Sequence, residues 1–555
     1  MVQCYGSEEM SMEIQISDLH KELVQRYGRA IAHMRQLVEK RRLGLVLGAG
    51  IGQAAGLPSW AKLIKGISKR LTQLRVEGPD LAEESSPVQA QILLSRFRQY
   101  IEKKPDFSEN DASHRDAKVA VQWRKLLRDV IYDGIEDPAV LLAQHGYMED
   151  LAILAYKIPI VVTYNFDDLL EQALAKSEHK PKDTVGYYSA WGSNFVVQDG
   201  RPVVYHPNGY LPFYTIDRYS EQVILTEEAI SDQVIDSLMG SFALLLDYYS
   251  RTSCLFLGFS LSDPALRSML RQAARRSPGT VHYYVRYCPD GEPPPLEQSE
   301  TTETNFELFN MVTLYLSANE IKALLQLVAQ IDRSEFDDVF VNAGVEMTYR
   351  HYVTGPVAVG KTTVLSRLQG VEIVDEWLKP RDPLIAKPHN QLLPEELEKV
   401  DNWILEQLRL KNGRFEGARL GIHLMDRAPL DALAFTPEHA HREKAMKIFN
   451  VACAGASGKP HDFCSGKLIF LKGRPYDLLT RQKWRGRDGD ENYIKDQQTA
   501  LLEVYNTQDP GRTSIVETSG LSVEMVVKKV LRIIHLEPYQ EFNFTTRLKH
   551  YLQGV

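Results

Sequence analysis

Two segments of this chain share a pattern that leaves few possible folds: an apolar run, a glycine-rich turn and then a helical spacing. The first is LGLVLGAGIGQAAGLPSW, residues 43–60, and the second is MTYRHYVTGPVAVGKTTVLSRL, residues 347–368. A continuous apolar run is typical of a buried parallel strand, and a glycine turn that opens a helix presents backbone N–H groups to an anion. We therefore predict an α/β protein with two parallel-sheet nucleotide-binding domains.

The remaining apolar runs predict how the chain divides. Three of them predict further strands of the first sheet: IPIVVTY, CLFLGF and VHYYVRY. Amphipathic spacing between residues 60 and 148 predicts a helical insertion after the first strand and helix. An acidic, polar stretch near 332–345 marks a domain boundary. The predicted parts are an N-terminal helical segment at 1–34, a first domain at 35–335 and a second domain at 346–555.

Composition and charge disfavour several classes of function. Lysine and arginine number 65 against 73 aspartates and glutamates, so the net charge of −8 provides no overall field to hold a nucleic-acid backbone. The five cysteines are widely separated, which disfavours a disulfide framework or a zinc site and suits a reducing cytoplasm. No apolar run approaches the roughly 18 residues of a membrane span. We expect a cytoplasmic homo-oligomer whose partners are nucleotides, with no membrane and no direct nucleic-acid contact.

The first glycine turn differs from the usual dinucleotide fingerprint. Its glycines do not follow the G-x-G-x-x-G spacing, because Gln53 stands where the third glycine belongs. An ordinary dehydrogenase is therefore disfavoured. The turn still lets a backbone approach a pyrophosphate, and its candidate binding residues are Gly48, Ala49, Gly50 and Gly52.

Five ordered motifs carry a family resemblance over about residues 35–330. They are GAGIG with GLPSW, TYNFDDLLEQAL, HPNGYLP, VILTEEA and GFSLSDPALRSML. In this order they resemble the sirtuin-like domains of prokaryotic defence proteins. The resemblance implies a Rossmann-type domain that cleaves the bond between nicotinamide and ribose in NAD, with further ligand contacts from Gly258, Ser260 and Asp263. Lysine deacylation is not expected, because the zinc-ribbon cysteines that accompany it in the family are absent.

The candidate catalytic residues lie in two of these motifs. Asn165 and Asp167 follow a predicted strand end, where ligands of open α/β sheets bind. The resemblance implies that Asn165 positions the nicotinamide ribose or its water. The family's general base corresponds to Asn208, while a second histidine survives as His206. Imidazole can accept a proton at neutral pH and an amide cannot. Three interpretations stay open: His206 acts as the base, the domain hydrolyses slowly through Asn165, or the domain only binds a dinucleotide.

The second glycine turn, GPVAVGKTT, fits the phosphate-loop pattern G-x-x-x-x-G-K-[ST] between a strand and a helix. Lysine in this pattern reaches the β- and γ-phosphates, and the following hydroxyl binds magnesium. ATP and Mg²⁺ are therefore expected cofactors, with Thr362 as the magnesium ligand. The candidate binding residues are Gly355, Gly360, Lys361, Thr362 and Thr363.

Three features downstream of this loop narrow the prediction. Glu376 lies in VEIVDEW, Asp426 and Arg427 lie in GIHLMDRAPLDALAF, and RQKWRGRDGDENY contains a run of arginines. Residues 346–540 resemble deoxynucleoside or thymidylate kinases, which implies an acceptor-orienting acid, an Asp-Arg pair near magnesium and an arginine-rich lid. Guanidinium groups suit a transferring phosphoryl group because they meet its oxygens in pairs. The lid candidates are Arg481, Arg485 and Arg487.

The two resemblances together suggest an effector joined to a sensor. We predict an NAD-cleaving effector of antiphage defence that a nucleotide-binding, kinase-like domain regulates. Two alternatives stay open: a nucleoside or nucleoside monophosphate kinase whose first domain senses NAD or ADP-ribose, and a nucleotide-controlled scaffold in which neither site turns over.

Overall fold

The protein is described from a computed structural model. The described residues are 17–104, 112–180, 186–192, 201–214, 220–289, 293–386, 392–452, 462–486, 488–505 and 511–553.

A seven-stranded, wholly parallel sheet forms the first half of the chain. Its strand order is β3-β4-β2-β1-β5-β6-β7. Most positions of these strands are buried, as expected when helices cover both faces of a parallel sheet. The strands are β1 (Leu43–Leu47), β2 (Ile160–Thr163), β3 (Tyr188–Trp191), β4 (Val203–His206), β5 (Ser253–Leu257), β6 (His282–Tyr287) and β7 (Met311–Leu316).

Fourteen helices are described up to residue 343, and five of them, α3 to α7, form the insertion between β1 and β2. Local capping fixes several helix starts: Ser59 accepts a hydrogen bond from the Lys62 amide, and Thr226 accepts one from Ala229. The helices are α1 (Asp18–Glu39), α2 (Ala49–Ala54), α3 (Trp60–Gln73), α4 (Ser86–Glu102), α5 (Ala112–Ile131), α6 (Pro138–Gln144), α7 (Met148–Lys157), α8 (Leu169–Lys176), α9 (Glu227–Met239), α10 (Ala243–Arg251), α11 (Pro264–Arg276), α12 (Pro295–Phe309), α13 (Ala318–Ala329) and α14 (Arg333–Ala343).

A second parallel sheet, of five strands in the order β12-β11-β8-β10-β9, follows. Its strands are β8 (Thr348–Thr354), β9 (Glu372–Val374), β10 (Gly421–Asp426), β11 (Lys467–Lys472) and β12 (Thr513–Glu517). Its helices are α15 (Lys361–Leu365), α16 (Pro394–Glu416), α17 (Asp431–Ala434), α18 (His441–Ala452), α19 (Pro475–Trp484), α20 (Glu491–Val504), α21 (Val523–His535) and α22 (Phe544–Gln553), with 3₁₀ turns at Pro383–Ala386 and Glu438–Ala440. The predicted fold class, α/β with two parallel sheets and a helical insertion, is confirmed.

Helix α1 joins the two halves. It packs on α13 and α14 and also against β10 of the second sheet. The Gln36 side chain accepts a hydrogen bond from the Ile422 amide of β10, and Arg29 donates to the carbonyls of Ile534 and Glu537 at the end of α21. The largest apolar core contains residues of both sheets as a result.

A second contact joins the phosphate-loop helix to the first sheet. Leu368, three residues beyond α15, forms a parallel bridge with Gly279 just before β6, and the Gln369 amide donates to the Gly279 carbonyl at 3.0 Å. The Gly370 carbonyl accepts a hydrogen bond from His33 Nε2 of α1 at 2.9 Å. Burial lowers the pKa of His33 to about 4, so the ring is neutral and accepts from the Tyr283 hydroxyl of β6 through Nδ1.

No single described helix is long and apolar enough to cross a membrane. Among the residues that the structure describes, one bent pair, α9 and α10, has the necessary length and composition when its two helices, which meet at 69°, are taken together.

Candidate functional sites

A cleft opens at the carboxyl ends of β1 and β2. It contains about 440 Å³ of empty space, part of it open to solvent. Helices α3 and α5 of the insertion form one wall of this cleft. The cleft is lined by Ala49, Gly52, Leu57, Pro58, Trp60, Leu63, Ile131, Tyr164, Asn165, Phe166 and Asp167.

The glycines next to this cleft pack against one another. A Cβ atom on Gly48 would lie 2.6 Å from the Gly258 carbonyl oxygen, and one on Gly50 would lie 2.9 Å from the Gly258 Cα. Gly258, at φ 76°, adopts a left-handed conformation that favours glycine. The Gly50 amide donates to the Gly258 carbonyl at 2.9 Å. The two loops after β1 and β5 therefore need glycine for their own close approach, a requirement separate from the predicted pyrophosphate contact.

Asn165 lies two residues beyond the end of β2 and is 8% exposed. Its amide N–H donates to Thr163 Oγ1 at 3.3 Å, and its carbonyl accepts from His206 Nδ1 at 3.0 Å. Its side-chain Oδ1 is buried and has no hydrogen-bond partner among the described residues. A buried polar atom without a partner costs free energy unless a ligand or water satisfies it, so this oxygen is suited to contact a ligand.

Asp167 lies in the same cleft, partly exposed. Its Oδ1 accepts from the Leu169 amide at 3.2 Å, while Oδ2 lies 3.3 Å from where a Cβ atom on Gly52 would stand. Burial, together with the neighbouring charges of Asp168 and Glu171, raises the pKa of Asp167 to about 7. This carboxylate can therefore gain or lose a proton near neutral pH.

His206 lies behind the cleft and does not line it. The side chain is fully buried, and both ring nitrogens are engaged: Nδ1 with the Asn165 carbonyl and Nε2 with Glu171 Oε1 at 2.7 Å. A general base needs a nitrogen within reach of the substrate proton. In this arrangement His206 supports Asn165 from behind, and its action as the base, one of the three interpretations, stays a prediction.

Asn208 and the residues after β5 serve the fold in their observed positions. Asn208 is buried, and its Oδ1 accepts from Gln233 Nε2 at 3.0 Å, which fixes the loop between β4 and α9. Asp263 caps α11 by accepting from the amides of Ala265 and Leu266, and Ser260 Oγ lies 2.6 Å from Ser262 Oγ at the surface. The ligand contacts predicted for Ser260 and Asp263 stay predictions.

The phosphate loop lies at the carboxyl end of β8, as its pattern predicted. Gly355, at φ 145°, passes so close to β11 that a Cβ atom would lie 2.1 Å from the Leu471 carbonyl oxygen. Lys361 Nζ donates to the carbonyls of Gly355 at 2.8 Å and Pro356 at 3.0 Å. Burial lowers the pKa of Lys361 to about 7. Gly360 caps α15, and Thr363 follows on its first turn.

Thr362 and Asp426 come together beside this loop. Thr362 Oγ1 donates to Asp426 Oδ2 at 3.0 Å, while the buried Asp426 Oδ1 lacks a partner in the described part of the chain. Lys411 of α16 donates to the Asp426 backbone carbonyl at 2.5 Å. A hydroxyl and a carboxylate with an unused oxygen are the hard donors that Mg²⁺ prefers, so the residues fit this ion.

Arg427 organises the acidic side of the same site. It has a positive φ of 70°, and its Nε donates to Glu376 Oε1 at 2.5 Å. Burial by itself would raise the pKa of Glu376, but the charge of Arg427 outweighs burial and lowers it. Asp431 Oδ2 lies 3.6 Å from Arg427 Nη1. Asp431 also accepts hydrogen bonds from the hydroxyls of Thr354 and Tyr505. Sequence analysis predicted that Glu376, Asp426 and Arg427 lie near one another, and the structure brings them together.

The three predicted lid arginines have different positions. Arg481 donates to the Thr518 carbonyl at 3.1 Å and to the Val359 carbonyl of the phosphate loop at 3.5 Å. Arg485 is exposed at the end of α19. Arg487 lies outside the described residues.

Sequence analysis missed Glu171, Lys411 and Asp431. Glu171 is a charged residue within the apolar helix pattern LLEQAL, which could have marked it as a buried partner. Asp431 lies four residues after Arg427, and this spacing could have indicated an ion pair between the two side chains. Lys411 reaches the site from α16 with no recognisable motif around it.

Comparisons with known proteins bear mainly on the first half. A model of the SIR2-like domain family matches residues 159–309. The NAD(+) hydrolase ThsA of Bacillus cereus (strain MSX-D12) is 26% identical over 334 residues, which cover 57% of this chain and 59% of that protein. The chain thus spans about three-fifths of the length of this curated relative. The sirtuin-like part of the predicted resemblance is confirmed.

Solved structures of deoxyadenosine kinase from M. mycoides also match, at 18% and 17% identity. Each covers 33% of this chain and 97% of the kinase chain, with TM-scores of 0.25 and 0.26. TM-scores this low carry no argument, so the kinase-like part of the resemblance stays a prediction.

Proposed function

We propose that this chain cleaves NAD to release nicotinamide, and that nucleotide binding in the second domain regulates this reaction. The observation that carries the proposal is the placement of Asn165 and Asp167 in one cleft of the SIR2-like region. The similar Bacillus cereus protein is named an NAD(+) hydrolase, which supports the same activity here. Depletion of NAD in an infected cell is the role that the resemblance to defence proteins implies.

The two residues suit the two needs of this hydrolysis. The bond between ribose C1′ and the nicotinamide nitrogen breaks with its electron pair leaving on nicotinamide, and a water adds to C1′. Asn165 Oδ1 can hold a ribose hydroxyl or the water, and the Asp167 carboxylate can accept the proton that the water loses. Asp167 replaces the histidine base that this sequence lacks at Asn208.

Release of free nicotinamide from NAD by the purified full chain tests the proposal. We expect Asn165→Ala to lower the rate about 100-fold, because the side chain that positions ribose or water is lost. Asn305→Ala is a matched control, since Asn305 is also 8% exposed and bonds Thr313 far from the cleft. Nicotinamide release by Asn165→Ala at the wild-type rate would remove this assignment.

The second site supports the regulatory half of the proposal. The phosphates of ATP and a Mg²⁺ ion would be held by Lys361, Thr362 and Asp426. The positive charge of the ion would neutralise the phosphate oxygens. The segment after α15 contacts Gly279 and His33 of the first half. Movement of the phosphate loop would therefore reach β6 through His33 and Tyr283, and β6 neighbours β5, which carries Gly258 to the cleft.

We expect ATP with Mg²⁺ to raise the rate of NAD cleavage by the wild-type chain at least 10-fold, a coupling of about 1.4 kcal/mol. His33→Phe keeps an aromatic ring but removes the hydrogen bonds to Gly370 and Tyr283, and it should reduce this response to below about 2-fold. His20→Phe is the control, because His20 also lies buried on α1 but bonds Gln326 within the first half. The route is contradicted if His33→Phe keeps the full response, and the sensor itself is contradicted if no nucleotide changes the wild-type rate.

Phosphoryl transfer is a second candidate function, favoured by the convergence of Glu376, Arg427 and Asp426 beside the phosphate loop. Glu376 would orient an acceptor hydroxyl, although its lowered pKa makes it a weak base. Incubation with ATP and a panel of nucleosides and nucleoside monophosphates tests this function, because it requires a phosphorylated product.

A further inference from the structure

A buried ion pair lies directly behind the cleft. Glu171 of α8 and His206 at the end of β4 are 1% and 0% exposed, with Nε2 and Oε1 2.7 Å apart. Burial by itself would lower the pKa of His206, but the charge and hydrogen bond of Glu171 outweigh burial and raise it. The two partners of the ring, a backbone carbonyl and a carboxylate oxygen, both accept hydrogen bonds, so His206 donates from both nitrogens as an imidazolium. A buried pair of this kind persists only where its hydrogen bonds are well made.

The second hydrogen bond of the imidazolium goes to the cleft backbone. His206 Nδ1 donates to the Asn165 carbonyl at 3.0 Å, and the Asn165 amide is already held by Thr163. Asn165 lies beyond the end of β2, where the strand ladder no longer fixes the chain. Both backbone polar groups of Asn165 are thus held from behind, which leaves its side chain to face the ligand.

Glu171 also connects a third segment to this arrangement. Ser189 of β3 donates to the same Oε1 atom at 3.0 Å, so α8, β3 and β4 meet at one carboxylate oxygen. The other oxygen, Oε2, is buried without a partner among the residues described. A fully buried glutamate with one unpaired oxygen lowers the free energy of unfolding. The hydrogen bonds of its other oxygen orient the His206 ring.

We propose that Glu171 is a positioning residue for NAD cleavage: it fixes the His206 imidazolium, whose hydrogen bond to the Asn165 carbonyl holds residues 164–167 in the orientation that the reaction needs. This inference rests on the proposed function. Glu171 itself does not touch the substrate, because His206 and the Asn165 backbone stand between it and the cleft.

The test compares Glu171→Gln with the wild-type full chain by two measurements. We expect kcat for nicotinamide release to fall about 10-fold with KM for NAD changed less than about 2-fold, as for other supporting groups behind a reactive site. Amide hydrogen exchange of residues 164–168 should become about 10-fold faster, because the segment loses its clamp.

Two further variants make the outcome decisive. Glu171→Asp keeps the carboxylate and should recover part of kcat, and it replaces Glu171→Gln if that variant does not fold. Lys176→Ala, a change at an exposed position of the same helix, should alter neither measurement. Unchanged exchange and unchanged kcat in Glu171→Gln would overturn the inference. If the wild type releases no nicotinamide, the proposed function fails, and the exchange measurement still decides whether Glu171 positions the segment.

Discussion

Asp167→Asn is expected to lower the rate of nicotinamide release about 10³-fold at pH 8, because a positioned general base contributes on the order of 10² to 10⁴ in rate and an amide cannot accept the proton. The substitution keeps the volume and the Leu169 hydrogen bond of the side chain. It therefore separates the loss of a base from the loss of structure. Nicotinamide release across pH 5 to 9 is the measurement.

The pH dependence of the wild type follows from the same group. Burial raises the pKa of Asp167 to about 7, so the carboxylate is protonated and inactive below this value. The rate should rise with pH and level off above about 8, with a midpoint near 7. Asp167→Asn should abolish this limb, and a wild-type midpoint near the ordinary aspartate value of about 4 would contradict the role of Asp167.

Stability should change in the opposite direction to activity. Because the folded pKa of Asp167 lies above its unfolded value, folding favours the protonated form, and stability falls as pH rises from about 4 to about 7. Above pH 7 the buried charge costs at most about 4 kcal/mol, so Asp167→Asn should raise the free energy of unfolding at pH 8. Asp168→Asn should raise it less, because burial also raises the pKa of Asp168 but its carboxylate accepts hydrogen bonds from Tyr132, Gln172 and the Phe213 amide. Denaturant unfolding at pH 8 compares the two variants.

Lys361→Ala should weaken ATP binding to the full chain at least 100-fold. The ammonium now contacts the Gly355 and Pro356 carbonyls and is placed to reach phosphate oxygens, where each charge-assisted hydrogen bond contributes about 1.5 to 3 kcal/mol. Two such bonds account for the expected loss. Calorimetry with ATP and Mg²⁺ measures the affinity directly.

The matched control for this prediction is Lys399→Ala, which removes the same charge from an exposed position on α16. Its affinity for ATP should stay within about 2-fold of the wild type, since exposed charges are screened. Lys361→Ala should also cancel any effect of ATP on NAD cleavage. Wild-type affinity in Lys361→Ala would show that the loop does not hold the phosphates.

Contiguous patterns were enough to predict the framework of both halves. The apolar runs predicted β1, β2, β5 and β6 because a parallel strand buried on both faces needs apolar side chains throughout. The phosphate loop and the segment from Asn165 to Asp167 were predictable for the same reason: each is a short stretch whose position at a strand end depends on its own neighbours. These features are local, so the sequence alone determined them.

Only the tertiary structure decided which distant groups meet. Strand order brings the loops after β1 and β5 together, so Gly48, Gly50 and Gly258 contact one another, a constraint that spacing within either loop could not reveal. The same order buries His206 against Glu171 and places it where it donates a hydrogen bond to the Asn165 carbonyl. An apolar period shows which face of an element is buried but not which partner covers it, because partners are chosen by long-range packing. That packing placed the Asp167 carboxylate in the cleft beside Asn165.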